Sequence, residues 1–430
     1  MKDRRYNEPN EKERREKKMK KSWFCLAVAL LMMIMGACFA EGAEKQAQLT
    51  QTEGIVIPVF NEENMKKFEI PDNEAMRFIR NLRAGWNLGN TFDAYDDGNP
   101  GLGLRLESWW CGTKTNRELI HKLKETGFNL IRIPVSWHNH LVDENYTVDP
   151  AWMARVKEVA GWCYEEGLYF IINVHHDNSE KYFYPDSAHY QQSERYLTAI
   201  WKQIAENFAE FDEHCILESM NEPRLVGTEY EWYLNEAAPK AQDAVDCINR
   251  LNQVFVDLVR ASGGNNAQRY LSVPGYCASP EGATTIRFKL PEDTAENKII
   301  VEVHAYRPYD FALNTQSKDS SFDLEKDSQK KADIATFMNS LYNKFVKYGT
   351  PVLIDEFGAL NKTATDLQAR VNLAAYYTAS ASARGITCCW WDNHNFSGGG
   401  ERFGLISRSN AEWKYPDIAL AIMENCECNR

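Results

Sequence analysis

What this chain does not contain narrows it first. No Gly-x-Gly-x-x-Gly follows any apolar segment, so the phosphate-cradling turn of dinucleotide-binding sheets is missing. There is no His-Glu-x-x-His, and no Cys-x-x-Cys matched by a second such pair. Neither a zincin helix nor a structural zinc site is expected, and no metal or other cofactor is called for. No Pro/Thr/Ser-rich linker and no short-period repeat interrupts the chain, so residues 54–430 are expected to form one domain. Basic charge is in deficit: 49 Lys and Arg stand against 61 Asp and Glu, a formal net charge of -12. That balance argues against nucleic acid and anionic membrane as partners, and leaves a neutral polymer open. No protein partner is implied, and a monomer is expected.

Long apolar runs are also scarce. The most apolar, residues 23–35, falls short of the roughly 20 residues that span a bilayer. It follows a strongly basic stretch and precedes Gly36, Ala37, Cys38 and Ala40. Basic region, apolar region and small-residue cleavage site together make a secretory signal over residues 1–40, with Met19 as the expected functional start. Release after Ala40 gives a soluble extracellular protein; lipidation of Cys38, giving a protein anchored at the cell surface, is the alternative. Residues 41–53 are polar and featureless and are expected to be a linker. Two of the 11 cysteines lie in the leader. Of the remaining nine, Cys163, Cys277, Cys388 and Cys389 sit in apolar segments, which favours buried thiols over a disulfide framework.

What is present is alternation. Apolar runs of strand length occur at 84–88, 130–134, 169–174, 216–219, 270–273, 299–303, 352–354 and 386–390. Amphipathic stretches lie among them. Thr115-Asn116-Arg117-Glu118 has the form of a capping box, followed by Leu119, Leu123 and a stop at Gly127. Trp152, Val156, Val159 and Cys163 keep helical spacing up to Gly167. Segments 200–208, 244–259, 334–346 and 367–383 behave alike. Eight apolar strands alternating with helices predict an α/β fold, a parallel (β/α)8 TIM barrel, with a doubly wound open sheet as the alternative.

In such a barrel, catalytic groups stand at the C-terminal ends of the strands. Asn90 follows the first strand, and Arg132 lies in the second. His175-His176-Asp177 follow the third, Asn221-Glu222-Pro223 the fourth, and His304-Ala305-Tyr306 the sixth. Asp355-Glu356 follow the seventh, and Trp391-Asp392-Asn393 the eighth. Glu222 and Glu356 come from strands on facing sides. Two carboxyl groups about 5–5.5 Å apart are what a retaining glycosidase needs, one as acid/base and one as nucleophile. The acid must hold a proton, so its pKa is expected to be raised by burial and a neighbouring negative charge. The nucleophile must stay ionised, and Arg132 and the Tyr306 hydroxyl are partners of the right kind.

These segments resemble family 5 of the glycoside hydrolases, the cellulase family. The resemblance is carried by GWNLGNTFDA from Gly85, RIPVSWHNH from Arg132, INVHHD from Ile172, SMNEPR from Ser219, VHAYRPY from Val303, IDEFGA from Ile354 and WWDN from Trp390. The GWNLGN and WWDN forms look most like the subfamily of endoglucanases, lichenases and xyloglucanases. The resemblance implies a retaining endo-β-1,4-glucanase that cuts cellulose-type or mixed-linkage β-glucan by double displacement. It implies Glu222 as acid/base, Glu356 as nucleophile, and Asn221 on the sugar 2-hydroxyl. Arg132 and Tyr306 would contact the nucleophile and His304 the acid/base. His175, His176 and Asn90 would line the sugar site, with Trp391 stacked under the ring. Trp109, Trp110 and Trp137 are candidates for outer subsites, evenly balanced against core packing. Cys111, and His394 after Asn393, stand where the pattern leads one to expect glycine.

Simpler roles exist for several of these residues. Adjacent histidines on a strand point to opposite sides, so His175 and His176 should not share an ion. Trp152, Trp162 and Trp201 fit core positions, and Glu292, Asp293 and Glu296 a solvated acidic loop. A xyloglucanase, mannanase or xylanase on the same machinery is the nearest rival function. A non-catalytic carbohydrate-binding protein would require loss of a catalytic carboxylate.

Overall fold

The computed structural model describes residues 49–99 and 101–428. The expected basic extension, signal segment and Cys38 lie outside the described residues. Eight parallel strands close into a barrel in chain order: β1 (Gly85–Leu88), β2 (Leu130–Ile133), β3 (Tyr169–Asn173), β4 (Cys215–Glu218), β5 (Leu271–Pro274), β6 (Ile299–His304), β7 (Val352–Phe357) and β8 (Thr387–Asp392), with β8 pairing back onto β1. Almost every strand residue is buried, because helices cover the outer face and side chains fill the inside. This is the expected (β/α)8 barrel.

The covering helices are Arg117–Thr126, Pro150–Glu165, Tyr190–Asn207, Pro239–Ala261, Ser328–Lys344, Leu367–Ala383 and Pro416–Asn425. Between β5 and β6 the helix shrinks to one turn, Pro280–Thr284. Arg117–Thr126 starts one residue away from the expected cap. Asn116, not Thr115, accepts the Leu119 N–H, while the Thr115 N–H is taken by buried Glu107. Gly127 closes this helix at φ 111°, a left-handed position that a side chain would strain.

An additional helix, Glu74–Asn81, seals the N-terminal end of the barrel. Its Phe78 ring stacks on Tyr270 at 3.6 Å and meets Tyr169 edge-on at 5.5 Å. Thr387, at the start of β8, donates to the Ile79 carbonyl. Truncating such a buried ring costs about 3–5 kcal/mol. The expected linker is tied down at its far end, where the Thr52 N–H and hydroxyl both donate to Asp417.

Two strands run further than their apolar cores suggest. β7 continues through Asp355 and Glu356, and β8 through Trp391 and Asp392. The pairing of β7 with β6 shifts register between Val303 and His304, and its pairing with β8 shifts between Ile354 and Phe357. This bulge lets two successive side chains, Asp355 and Glu356, both approach Arg132 on β2.

The nine cysteines among the described residues are free thiols, and all but Cys111 are buried. Among the described residues no helix is long and apolar enough to cross a membrane. Asp293 departs from its expected place in a solvated loop: its carboxylate takes two hydrogen bonds of 2.7 Å from Arg260.

Candidate active site

Arg132 organises the floor. It is wholly buried, and a buried guanidinium must be paired on all sides. Nε and one terminal nitrogen form a bidentate pair with Glu218 at the end of β4, at 2.6 and 2.7 Å. That same terminal nitrogen donates to Asn221 Oδ1 at 2.8 Å, which turns the Asn221 NH2 group away from Arg132. The other terminal nitrogen donates to Glu356 Oε1 at 2.6 Å and to Asn87 Oδ1 at 3.1 Å. Tyr306 holds the remaining Glu356 oxygen through its hydroxyl at 2.9 Å. Both oxygens of Glu356 therefore accept strong hydrogen bonds, which fixes its orientation.

Glu222, in the loop after β4, faces it. One oxygen of each carboxylate and a ring nitrogen of His304 all lie within 4.8 Å of one another. His304 Nδ1 is 2.8 Å from Glu222 and 3.5 Å from Glu356, and Nε2 is 3.4 Å from Asp355. Burial pushes this imidazole toward neutrality, but Glu356, Asp355 and Glu222 raise its pKa to about 10. Burial likewise pushes Glu222 up, and the His304 contact pulls it down to about 2, helped by Arg224 and His176. The sequence-based expectation of a raised Glu222 is corrected here. The proton therefore rests on the His304 side of the 2.8 Å hydrogen bond. Burial moves Glu356 above the ordinary carboxylate value, against the pull of His304 and Arg132.

His175 is neutral, since burial drives its pKa far down. Asn173 Oδ1 is occupied by the Val135 N–H, so its NH2 group donates to His175 Nδ1. The His175 proton must then sit on Nε2. Its ring lies parallel to Trp391, centroids 5.9 Å apart. Trp391 is backed by Leu360 and Phe403. His176 is half-buried among Tyr95 and Trp110, and burial lowers it to about 4. Asn90 takes a left-handed conformation, φ 57°, in the turn that Asp93 closes by accepting the Asn90 and Thr91 N–H groups. Together these side chains line a cleft of about 430 Å³ over the barrel's C-terminal end, within the range of ligand sites.

The arrangement matches an established group of enzymes. The family model "Cellulase (glycosyl hydrolase family 5)" matches residues 94–397. The chain belongs to glycosyl hydrolase family 5. Endoglucanase B of Ruminococcus albus is 42% identical over 346 residues, covering 80% of this chain and 79% of that one. Endoglucanase 1 of Ruminococcus albus is 38% identical over 402 residues, covering 91% and 93%. The structure of a family 5 lichenase from Caldicellulosiruptor sp. F32 superposes with a TM-score of 0.84 at 47% identity, over 86% of this chain and all of that one. A variant of that lichenase has been solved with cellotetraose, and matches with a TM-score of 0.82 at 45% identity.

All ten expected site residues of this family 5 chain converge on the same end of the barrel, nine of them lining the cleft and Arg132 beneath it. His175 and His176 share one wall because β3 ends at Asn173, so strand alternation no longer separates them. Asp93, His175 and His176 each bring one potential metal-binding atom within 4.8 Å of the others. Asp93 is already accepting backbone N–H groups, and His175 Nδ1 is taken by Asn173. Of the outer tryptophans, Trp110 reaches the cleft. Trp137 does not: it is fully buried and donates to the Asn173 carbonyl, a core role. The two loop departures meet each other, His394 Nδ1 lying 3.1 Å from the Cys111 carbonyl.

Several cleft residues escaped sequence analysis. Asn87 and Asn173 lie inside GWNLGN and INVHHD and Glu218 directly precedes SMNEPR, all without a role there, yet polar residues inside otherwise apolar strands were a readable signal. Arg224 was quoted within SMNEPR without a role; its guanidinium lies 4.0 Å over the exposed Trp232 ring and 3.5 Å from Glu222. Trp232 and Glu401 come from loops with no local pattern.

Proposed function

We propose that Glu222 is the acid/base and Glu356 the nucleophile of a retaining endo-β-1,4-glucanase acting on cellulose-type or mixed-linkage β-glucan. The observation that carries this is the approach of the two carboxylates to within 4.8 Å, each held in a defined orientation. So close an approach favours direct nucleophilic attack, since the inverting alternative separates the carboxyl groups by about 6.5–9.5 Å to admit a water.

In the first step Glu356 attacks the anomeric carbon. The glycosidic bond breaks, and its electrons stay on the leaving oxygen, which takes a proton from Glu222. That proton reaches Glu222 Oε1 from His304 Nδ1 across their 2.8 Å contact. Forming the glycosyl ester removes the charge of Glu356. Glu222 then accepts a proton from water as the water oxygen attacks the same carbon and Glu356 departs, the proton returns from Glu222 to His304 Nδ1, and configuration is retained. Arg132 and Tyr306 hold Glu356 for in-line attack, and the Asn221 NH2 group is free to grip the sugar 2-hydroxyl. Trp391 offers its flat face to the ring. None of these steps calls for a cofactor. Secretion by the leader, and action as a monomer on extracellular polymer, complete the proposal.

The relatives' names, endoglucanase and lichenase, favour a glucan backbone over mannan or xylan. A panel of carboxymethyl cellulose, mixed-linkage glucan, xyloglucan, mannan and xylan, with product sizing, tests this. Rapid loss of viscosity on the first two is expected. Faster hydrolysis of mannan or xylan than of either glucan would overturn the substrate assignment.

A further inference from the structure

Glu302 sits on β6, two residues before His304, with its side chain inside the barrel. It is wholly buried, and neither carboxylate oxygen has a hydrogen-bond partner. Asp355, on β7, is also wholly buried, and its oxygens have only long contacts, with His304 Nε2 at 3.4 Å and Arg132 Nε at 3.6 Å. One oxygen of each, with one of Glu218 on β4, lie within 4.8 Å of one another. The groups facing them are few. β2 contributes Arg132, whose Nε is 3.6 Å from Asp355 but is already paired with Glu218. β5 contributes the buried Ser272 hydroxyl, a donor toward Glu302 whose pull is outweighed by burial. β8 contributes Cys389, a thiol that burial keeps un-ionised. β6 itself contributes His304, with Nε2 3.4 Å from Asp355 and Nδ1 2.8 Å from Glu222.

Three ionised carboxylates cannot share this dry space with one guanidinium that also serves Glu356 and one imidazolium that also serves Glu222. A buried charge without a partner neutralises instead. A proton on Glu302 removes its unpartnered charge and makes an orphaned acceptor a donor in a space lined by carboxylate oxygens. We propose that Glu302 holds a proton in the barrel core and that Glu302 and Asp355 act as positioning residues, the Asp355 carboxylate holding His304 as the imidazolium that faces Glu222. This rests on the assignment of Glu222 as acid/base. Burial, then Glu218 and Asp355, hold the Glu302 carboxyl well above the ordinary carboxylate value, in agreement with the geometry. The proton that His304 passes to Glu222 is thereby set by a pair of groups that never touches the sugar.

The test reads the core directly. The infrared difference between wild type and Glu302→Gln at neutral pH should show loss of a buried carboxylic-acid carbonyl band. In ¹⁵N-histidine spectra, Asp355→Asn should lower the His304 pKa by about one unit or more, the effect of removing an opposite charge at this distance. The alkaline limb of kcat/KM should move down with it. In Glu302→Gln the amide is still a neutral donor, so His304 should stay closer to its wild-type titration than in Asp355→Asn. Melting curves of both variants report folding separately. No lost band together with an unmoved His304 titration overturns the proposal. So does one equivalent of a tightly bound cation in the purified protein that disappears in Glu302→Gln, since a metal would then satisfy these oxygens. A separate variant, Glu222→Gln, checks the underlying assignment: wild-type hydrolysis by it refutes the acid/base role whatever the core titration shows.

Discussion

Gly89 follows β1 directly against the indole of Trp391. A Cβ placed on Gly89 would lie 2.7 Å from Cζ2 and 2.8 Å from Cη2 of that ring. Carbon atoms rest at about 3.5–4.0 Å, so in Gly89→Ala the two groups must separate by roughly 1 Å. The Gly89 N–H donates to the Asp392 carbonyl at 3.0 Å, which ties its backbone to β8. Leu360 and Phe403 back the indole. The ring therefore yields by tilting out of the plane that meets the sugar. Overpacking of this kind costs about 1–3 kcal/mol of stability, seen as a melting temperature lower by a few degrees. A displacement of about 1 Å in a positioning group costs roughly 100-fold in rate, which equals about 2.7 kcal/mol of transition-state stabilisation. The assay is kcat/KM on mixed-linkage glucan well below the melting temperature, run as a cycle with Trp391→Ala. Once the indole is gone, Gly89→Ala should cost little more, so the two changes should be strongly non-additive. Independent, additive losses, or a Gly89→Ala enzyme within twofold of wild type, would refute this account of the platform.

Other outcomes follow from the same geometry. His304→Asn removes the charge and ring nitrogen that hold Glu222 near 2, leaving Arg224 and His176 against burial, so Glu222 should titrate higher than in the wild type by ¹³C-carboxyl NMR. Because His304 is raised from 6.5 to about 10, its contribution to stability is complete below pH 6.5 and lost as pH rises toward 10. The melting-temperature gap between wild type and His304→Asn should therefore shrink over that window, and a gap that widens contradicts the pairing. Arg132→Met leaves Glu218 and Glu356 buried without their cation and should cost about 3–5 kcal/mol in urea unfolding, besides activity. Trp232→Ala should raise KM for polymer severalfold with little change in kcat, since this exposed ring lies beside the cleft but away from the reacting carboxylates.

Much of the fold was legible because the barrel repeats a simple rule. Apolar strands alternate with helices that announce their ends, as Gly127 does. Strand ends were misjudged where the barrel needs polarity. Asp355 and Glu356 look like loop residues after the apolar Val352-Leu353-Ile354, yet they lie on β7, because Arg132 compensates them from across the interior. The same masking hid the roles of Asn87, Asn173, Glu218 and Glu302, whose partners are distant in sequence. Both carboxylates of the candidate site were visible from their place at strand ends. The protonation of Glu222 was not, because it depends on a histidine 82 residues away. Trp137 was misplaced as a possible subsite, since a tryptophan beside a strand end serves core and cleft equally well until Asp177 and the Asn173 carbonyl fix its backbone and indole N–H groups.

The double-displacement claim is tested most directly by trapping. A 2-deoxy-2-fluoro cellobioside with a good leaving group slows the second step and lets the glycosyl ester accumulate. Peptide mass spectrometry of the inactivated protein should then find a single adduct on Glu356, absent in Glu356→Gln. An adduct on Glu222, or inactivation with no covalent attachment anywhere, would contradict the account.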